Sequence, residues 1–323
     1  MTKISVALCT YNGEKYIRQQ IDSILSQSLK VDEIVVCDDG SIDKTQTILF
    51  DYKNKFPEIF NININPQNLH SVKNFEKAIS LCKGEIIFLS DQDDVWEENK
   101  VKVFYDFFEK KPDINAICSN GFIIDDKGQK LNKLTIWSVP YLLKNKNILF
   151  DYFNIIAFIE NIATGAGMAF RNKIRPDILP IPVKEGFHHD EWIALITSHQ
   201  NSFMMIDDKL FSYRLHFNQQ VGGVTYNNDE STKNRLINHF NIFSKEKTFL
   251  QYKKILKRLS QSYYKHSILA AEGDHKNTTI SKEIALRCKE LFLINQANLK
   301  KRFPFKYFFL TIADSFNNKR KIE

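Results

Sequence analysis

The segment GEIIFLSDQDDVW, residues 84–96, runs apolar from Ile86 to Leu89 and then breaks into three carboxylates, Asp91, Asp93 and Asp94. A short continuous apolar run that stops at turn residues is the pattern of a strand buried on both faces, as in a parallel sheet. We place that strand at Glu85–Ser90. The same pattern recurs upstream. Ile4–Cys9 is a buried run closed by Thr10-Tyr11-Asn12, Glu33–Asp38 is one closed by Asp39-Gly40-Ser41, and Ile59–Ile64 is a third strand. The segments between have helical spacing. Glu14–Gln27 carries Tyr16, Ile17, Gln20, Ile21, Ile24 and Leu25 on one face, and Thr45–Lys55 and Val72–Cys82 read as helices too. Strands alternating with helices at this interval predict βαβ units and a parallel sheet.

Each strand ends in polar residues, and ligands of open α/β sheets bind outside those carboxyl ends. Turn chemistry also favours Asp, Asn and Gly, so a plain turn reading stands beside the functional one. Asp91 and Asp93, two residues apart at a strand end, can converge on one hard cation. Mg²⁺ and Mn²⁺ prefer such oxygens and usually hold substrate phosphates as well. Asp94 is alternatively a cap for the next helix, with Trp96 packed nearby. Thr10-Tyr11-Asn12 and Asp38-Asp39 suit a base and ribose: the Tyr11 ring can stack a pyrimidine, and the Asp39 carboxylate can accept its N3–H.

The remainder is less regular. Thr164–Phe170 reads as a small-residue strand, a helix starts near Asp190, and Ser202–Ile206 is a strand ahead of Tyr213-Arg214-Leu215-His216. From about Thr232 the chain becomes Lys-rich helix, with Tyr252, Ile255, Leu256, Leu259 and Tyr263 at helical spacing. The net charge of +7 divides unevenly. Residues 231–323 hold 20 basic and 7 acidic side chains (20 − 7 = +13), whereas residues 1–230 hold 25 and 31 (25 − 31 = −6). Such asymmetry marks two regions with different roles. The expected division is 1–225, with a donor half to about 120 and an acceptor half after it, and a basic, mainly helical region at 226–323.

Several classes drop out. CTYNGEKY after the first strand is not a glycine-rich phosphate loop, which argues against a dinucleotide-dependent dehydrogenase and a sugar-phosphate nucleotidyltransferase. The most apolar stretch, Phe303–Ala313, is interrupted by Pro304 and Lys306 and falls short of the ~20 residues that span a bilayer, so a processive synthase is not expected. Five cysteines without a C-x-x-C pair argue against a disulfide framework. The expected location is cytoplasmic.

Three segments in order, ISVALCTYNGEKYIRQQIDSILSQ (4–27), VDEIVVCDDGSIDKT (31–45) and GEIIFLSDQDDVW (84–96), closely resemble the family-2 glycosyltransferases with a GT-A fold. TGAGMAFRN (164–172), HHDEW (188–192) and YRLHFNQQVGG (213–223) resemble the subgroup of rhamnosyltransferases and polysaccharide-assembly enzymes. The resemblance implies an α/β GT-A domain with a mixed central sheet and a C-terminal helical appendage. It implies inverting, metal-dependent transfer from a UDP- or dTDP-sugar, rhamnose or a hexose, to a lipid-linked saccharide during capsule or O-antigen assembly. It also implies site roles. Thr10, Tyr11 and Asn12 would line the nucleobase pocket, Asp39 would bind the pyrimidine edge, and Lys73 would lie near the donor. Asp91 would contact ribose or metal, Asp93 would be the principal ligand of Mn²⁺ or Mg²⁺, and His216 a further ligand or diphosphate contact. Asp190 would be the catalytic base, with Trp96, Gly165 and Glu191 on the acceptor side. Glu191 adjoins Asp190, but consecutive helix positions point about 100° apart, so only one of the two faces the sugar. His188 and His189 lack the second ligand cluster that a zinc site needs.

In the basic tail, Phe303, Phe305, Tyr307, Phe308, Phe309 and Leu310 lie beside Lys300, Lys301, Arg302 and Lys306. Basic residues near anionic lipid contribute about 1 kcal/mol each, and aromatics favour the headgroup boundary. The expected partners are a nucleotide sugar, a polyprenyl-linked saccharide and the inner face of the membrane, with no nucleic acid. The alternative to an enzyme is a catalytically silent nucleotide-sugar-binding or scaffold subunit, which would keep the pocket and lack the base.

Overall fold

The structure is a computed structural model that describes residues 3–184, 186–217, 225–241, 244, 247–272, 276–317 and 320–322. The first part of the chain forms β1 (Ile4–Thr10), α1 (Ile17–Leu25), β2 (Glu33–Asp38), α2 (Thr45–Lys55), β3 (Phe60–Ile64), α3 (His70–Leu81) and β4 (Ile86–Ser90). Every residue of β1 and β4 is buried, as their unbroken apolar character requires. On α1, Ile17, Gln20, Ile21 and Ile24 are buried at helical spacing. That helix starts at Ile17 rather than Glu14, because Gly13 opens a turn whose carbonyl accepts from the N–H groups of Tyr16 and Ile17 at 3.0 Å each. Asn12 before it takes the left-handed conformation, with φ of 48°.

The chain continues through β5 (Val95–Trp96), α4 (Lys100–Lys110), β6 (Ala116–Ile124), β7 (Lys130–Leu131), β8 (Lys133–Thr135), α5 (Val139–Asn145) and α6 (Tyr152–Phe158). There follow β9 (Met168–Arg171), α7 (Arg175–Ile178), α8 (His189–His199), β10 (Phe203–Arg214) and β11 (Thr225–Asn227). The main sheet has the order β3-β2-β1-β4-β9-β6-β10-β5, with β7 paired to β6. β3, β2, β1 and β4 are parallel neighbours, β9 is antiparallel to both β4 and β6, and β10 is parallel to β6. The sheet is therefore mixed, as expected. Two strands differ from the sequence reading. Gly165–Gly167 is a tight 3₁₀ turn, so the strand expected at Thr164 begins at Met168. β10 extends eight residues beyond Ile206, through two register irregularities against β6.

Two compact units emerge, one of Met1–Tyr141 with Ile162–Asp229, the other of Leu142–Asn161 with Glu230–Glu323. The second unit contains α6, α9 (Glu230–Phe240), α10 (Phe249–Glu272), α11 (Lys276–Arg302) and α12 (Pro304–Asn317). Residues 142–161, sited by the sequence reading in the acceptor half, thus fold with the C-terminal helices. Asp151 caps α6 by accepting from the Asn154 N–H at 2.8 Å, and the Ser262 hydroxyl of α10 donates to the Ala157 carbonyl at 2.5 Å. Tyr252, Ile255, Leu256 and Leu259 of α10 are buried at the expected spacing, as are Ile284, Cys288 and Phe292 of α11. All five cysteines are free and buried. Among the described residues, no helix is long and apolar enough to cross a membrane.

Candidate active site at the ends of the parallel strands

Parallel strands deliver their last residues to one edge, and the polar residues after β1, β2 and β4 meet there. Asp38 organises the crest: its carboxylate accepts from the Thr10 hydroxyl at 2.7 Å, the Ser41 N–H at 2.8 Å and the Ser41 hydroxyl at 2.5 Å. Thr10 is buried, so its contribution is to hold Asp38 rather than to present a surface to a base. Tyr11 and Asn12 are exposed beside it. The Asn12 N–H donates to the Ser41 hydroxyl at 2.8 Å, and its side-chain carbonyl accepts from the Ile42 N–H at 2.9 Å. Asp39 Oδ1 accepts from the Asn65 amide at 2.8 Å and the Leu69 N–H at 2.7 Å, which leaves Oδ2 without a partner among the described residues.

Gln92, the unremarked residue inside Asp91-Gln92-Asp93, ties the ends of β1 and β4 together. Its Oε1 accepts from the Tyr11 N–H at 2.8 Å and its Nε2 donates to the Tyr11 carbonyl at 2.9 Å. Gly13 permits this, since a Cβ there would lie 2.2 Å from Gln92 Oε1.

The second half of the site is brought in by strand pairing. β5 directly follows the acidic loop and is antiparallel to β10, with Val95 opposite Ser212 and Trp96 opposite Phe211. That pairing sets Arg214 and His216 beside the carboxylates. His216 Nε2 lies 2.8 Å from Asp93 Oδ2, and its ring packs on Tyr16 at 4.9 Å between centroids. The buried Arg214 side chain donates from Nε to the Asp93 carbonyl at 2.8 Å and from Nη2 to Gln19 Oε1 at 2.6 Å, with the guanidinium over the Tyr16 ring. Its backbone N–H reaches Asp94 Oδ1 at 3.2 Å. Asp94 therefore holds β10 and does not cap α4, whose N-cap is Asn99.

β9 runs antiparallel to β4, with Phe88 opposite Ala169, so the Gly165–Gly167 turn lies past the end of β4, next to Asp91. The Gly165 N–H donates to Asp190 Oδ2 at 3.0 Å and thereby joins the first turn of α8 to this turn beside the acidic loop. A Cβ on Gly165 would sit 2.7 Å from His189 Nε2 and 3.7 Å from Asp91 Oδ2. The glycine thus makes room for His189 rather than for an acceptor. His189 is buried, stacked on Phe75 at 3.8 Å, and burial lowers its pKa to about 4. Glu191 is also buried, and Asp190 is the more accessible of the two.

The electrostatics are those of crowded carboxylates. Burial, then the charges of Asp93 and Asp190, push Asp91 up to about 7. Burial, then the charges of Asp93 and Asp91, hold Asp94 well above the usual carboxylate range, and its Oδ2 is sealed in without a hydrogen bond. Besides Arg214, a second buried cation opposes them. Lys100 is fully enclosed, donates to the Ala166 carbonyl at 2.6 Å and lies 3.9 Å over the Trp96 ring; burial lowers its pKa to about 7. The sequence reading missed Gln92, Lys100 and Arg214, because only tertiary pairing reveals a lysine or arginine folded inward.

The Glycosyl transferase family 2 profile matches residues 5–178, more than half of the chain. The chain belongs to glycosyltransferase family 2. It is 23% identical over 239 residues to an uncharacterized glycosyltransferase of Nostoc sp., which covers 72% of this chain and 71% of that one. It is 28% identical to an uncharacterized glycosyltransferase of Methanocaldococcus jannaschii, over 66% of this chain and 70% of the relative. Among solved structures, S. aureus TarS 1–349 in complex with UDP-GlcNAc matches with a TM-score of 0.52 and 17% identity, over 87% of this chain and 79% of that one. The mannosyltransferase PcManGT of Pyrobaculum calidifontis, in complex with GDP-Man and Mn²⁺, matches with a TM-score of 0.52 and 14% identity, over 97% and 79%. These two likenesses establish the fold.

Two expected site residues of this glycosyltransferase lie elsewhere than the sequence reading put them. Trp96 is enclosed between Phe88, at 5.5 Å, and Lys100, so its ring faces the core rather than an acceptor. Lys73 bonds both Glu76 oxygens at 2.9 and 2.8 Å and the Ile181 carbonyl at 3.3 Å, an arrangement that fastens the loop near residue 181 to α3. The segment 218–224, which includes the end of the YRLHFNQQVGG match, is outside the described residues.

No group of three or more His, Cys, Asp and Glu side chains among the described residues is arranged to hold a metal ion. The donor chemistry nevertheless suits a hard divalent cation. Asp91 and Asp93 supply oxygens, His216 supplies a nitrogen against Asp93, and the raised Asp91 pKa comes first from burial and then from the neighbouring charges of Asp93 and Asp190, which a cation would offset. A pH dependence follows. The folded Asp91 carboxyl keeps its proton up to about 7, whereas an unfolded one releases it near 3.8. Its contribution to stability is complete below pH ~4 and is lost as pH rises toward 7. We expect the thermal midpoint in EDTA to fall more steeply between pH 5 and 8 for the wild type than for Asp91→Asn, and Mn²⁺ to raise it most at pH 8. Parallel pH profiles for the two proteins would remove Asp91 from this role.

Proposed function

We propose that this glycosyltransferase is an inverting, metal-dependent enzyme. It moves rhamnose or a hexose from a UDP- or dTDP-sugar to a lipid-linked saccharide in the assembly of a cell-surface polysaccharide such as capsule or O-antigen. The observation that carries the reading is the 3.0 Å bond from the Gly165 N–H to Asp190 Oδ2, which fastens Asp190 to the turn that lies beside Asp91. A base and a diphosphate site must be neighbours for a single displacement, and one carboxylate is enough for it.

In that reading, Tyr11 and Asn12 flank the base and Asp39 Oδ2 accepts the N3–H of uracil or thymine, a group both nucleotides share. Asp93, Asp91 and His216 would hold Mn²⁺ or Mg²⁺, which supplies positive charge to the leaving diphosphate. Asp190 takes the proton of the acceptor hydroxyl as its oxygen forms the new bond to the anomeric carbon. The bond from that carbon to the nucleoside diphosphate breaks on the opposite face, inverting the configuration. Lys100 keeps the Ala166 carbonyl in place, and so steadies the turn that positions Asp190. A panel of UDP-, dTDP- and GDP-sugars assayed with Mn²⁺ and with EDTA tests the proposal. The expected result is metal-dependent donor binding and hydrolysis for a pyrimidine nucleotide sugar. Turnover unaffected by EDTA, or confined to GDP-sugars, would overturn the metal or the base assignment respectively.

Peripheral attachment to an anionic membrane belongs to the same proposal. Phe305, Phe308 and Phe309 of α12 are 84%, 61% and 69% exposed, next to the basic run Lys300-Lys301-Arg302. We expect anionic liposomes to sediment the protein at 0.1 M salt and less of it at 1 M, as the Debye length falls from ~10 Å to ~3 Å. Phe305→Ser with Phe309→Ser should remove the salt-resistant remainder. Protein that stays in the supernatant at low salt would reject membrane docking.

A further inference from the structure

The polar network behind Asp39 has a direction, set by the groups that can only donate and those that can only accept. Lys77 of α3 is one end. An ammonium has donors alone, so its Nζ, 2.7 Å from Asn65 Oδ1, fixes that atom as the amide oxygen. The Cys37 carbonyl is the other end. It can only accept, so the Asn74 Nδ2 that lies 2.9 Å away is a nitrogen that donates to it. Asn74 Oδ1 therefore faces Asn65 Nδ2, at 2.8 Å. The second hydrogen of Asn65 Nδ2 goes to Asp39 Oδ1, also at 2.8 Å. Asn65 is buried, and every hydrogen-bonding position of its amide nitrogen is filled.

The backbone holds the same arrangement. The Asn65 N–H donates to the Asp38 carbonyl at 2.8 Å, which extends the β2–β3 pairing one residue past Ile64. The loop then returns, and the Leu69 N–H meets Asp39 Oδ1 at 2.7 Å just ahead of α3. A carboxylate oxygen has about two lone-pair sites, and both of those on Oδ1 are taken. Oδ2 is different: it has no partner among the described residues and is not sealed off by packing. A group that ordinarily reads two donors side by side is left with one open acceptor atom.

We propose that Asn65 is a specificity-determining positioning residue, which by occupying Asp39 Oδ1 restricts the nucleotide pocket to bases that present a single N–H. This rests on Asp39 reading the base edge, as in the proposed function. Uracil and thymine carry one ring N–H between two carbonyls, and Oδ2 is enough for it. Guanine presents its ring N–H and its amino group side by side, a pair that suits both oxygens of a free carboxylate. With Oδ1 occupied, one guanine donor would be buried without an acceptor, and that cost selects against it. Lys77 acts one step further back, by keeping the Asn65 nitrogen turned toward Asp39.

The test is calorimetric titration of the full chain with UDP and with GDP, both in Mn²⁺, read as the ratio of the two affinities within each protein. That ratio does not depend on the folded fraction, so a destabilised variant remains informative. Wild type should favour UDP. Asp39→Asn should abolish the preference, because its amide would keep its oxygen toward Asn65 and turn its nitrogen to the base. Asn65→Ala should lower the UDP-to-GDP affinity ratio at least tenfold, as Oδ1 becomes open to the second guanine donor. Lys77→Met should move the ratio the same way, by threefold or more, and Lys77→Arg, which can still donate, should restore it. A wild type without preference for UDP, or a preference that survives Asp39→Asn, would overturn the base assignment and this inference with it. A preference lost in Asp39→Asn but unchanged in Asn65→Ala would overturn the inference alone and reduce the network to a fastening of the 65–69 loop.

Discussion

Asp190→Asn is expected to keep donor affinity and lose most of the transfer rate, about 10²–10⁴-fold, the usual contribution of a general base. The amide is nearly isosteric with the carboxylate, and its carbonyl oxygen can still accept the Gly165 N–H that holds Asp190 Oδ2 at 3.0 Å. Position is preserved while proton acceptance is lost. Glu191→Gln is the informative control. Glu191 is buried in the first turn of α8, so its substitution should act on stability before it acts on turnover. Single-turnover measurements with saturating donor separate the two effects. Residual turnover of Asp190→Asn near the wild-type value would falsify its role as the base.

Asp93→Ala should weaken Mn²⁺-dependent binding of UDP or dTDP about 100-fold or more, equivalent to about 2.8 kcal/mol at 1.4 kcal/mol per tenfold. It removes the carboxylate that contacts His216 and is the proposed principal ligand. The sign of its stability effect is the sharper check. Asp93 is a repulsive neighbour of both Asp91 and Asp94, whose carboxyls it helps push up. Removing one of these crowded charges should leave the thermal midpoint in EDTA unchanged or raised, even though the His216 contact is lost. A variant that loses the fold together with the metal dependence would make Asp93 structural. Calorimetry with unchanged Mn²⁺-dependent affinity would leave Asp93 outside the cation site.

The local pattern carried the first sheet almost residue by residue. Continuous apolar runs at Ile4–Cys9, Glu33–Asp38 and Glu85–Ser90 can only be buried strands. Thr45–Lys55 forms a helix with the same bounds as its sequence pattern. Errors gathered where a contact distant in sequence decides. The helix after β1 begins late because Gly13 turns beneath Gln92, 79 residues further along the chain. β10 outruns its apolar signal because β5 and β6 supply partners for its polar half. Asp94 is a cap by local rules and a β10 anchor in the fold, since Arg214 reaches it from 120 positions away.

By itself, the sequence determined that the chain alternates strand and helix, ends its second and fourth strands in carboxylates, and matches a transferase family in ordered segments. Those properties reside in neighbours along the chain, where side-chain period and turn chemistry act. Only the tertiary structure decided which carboxylates share a site. β9, running antiparallel beside β4, carries the Gly165 turn and with it Asp190 to the acidic loop. β5, paired with β10, draws His216 onto Asp93. The folded state likewise turned Lys100 inward and sealed Trp96 against it. Charge and ring identity are visible in a sequence, but the direction a side chain faces is fixed by strand pairing, which brings together residues too far apart for any local pattern to connect.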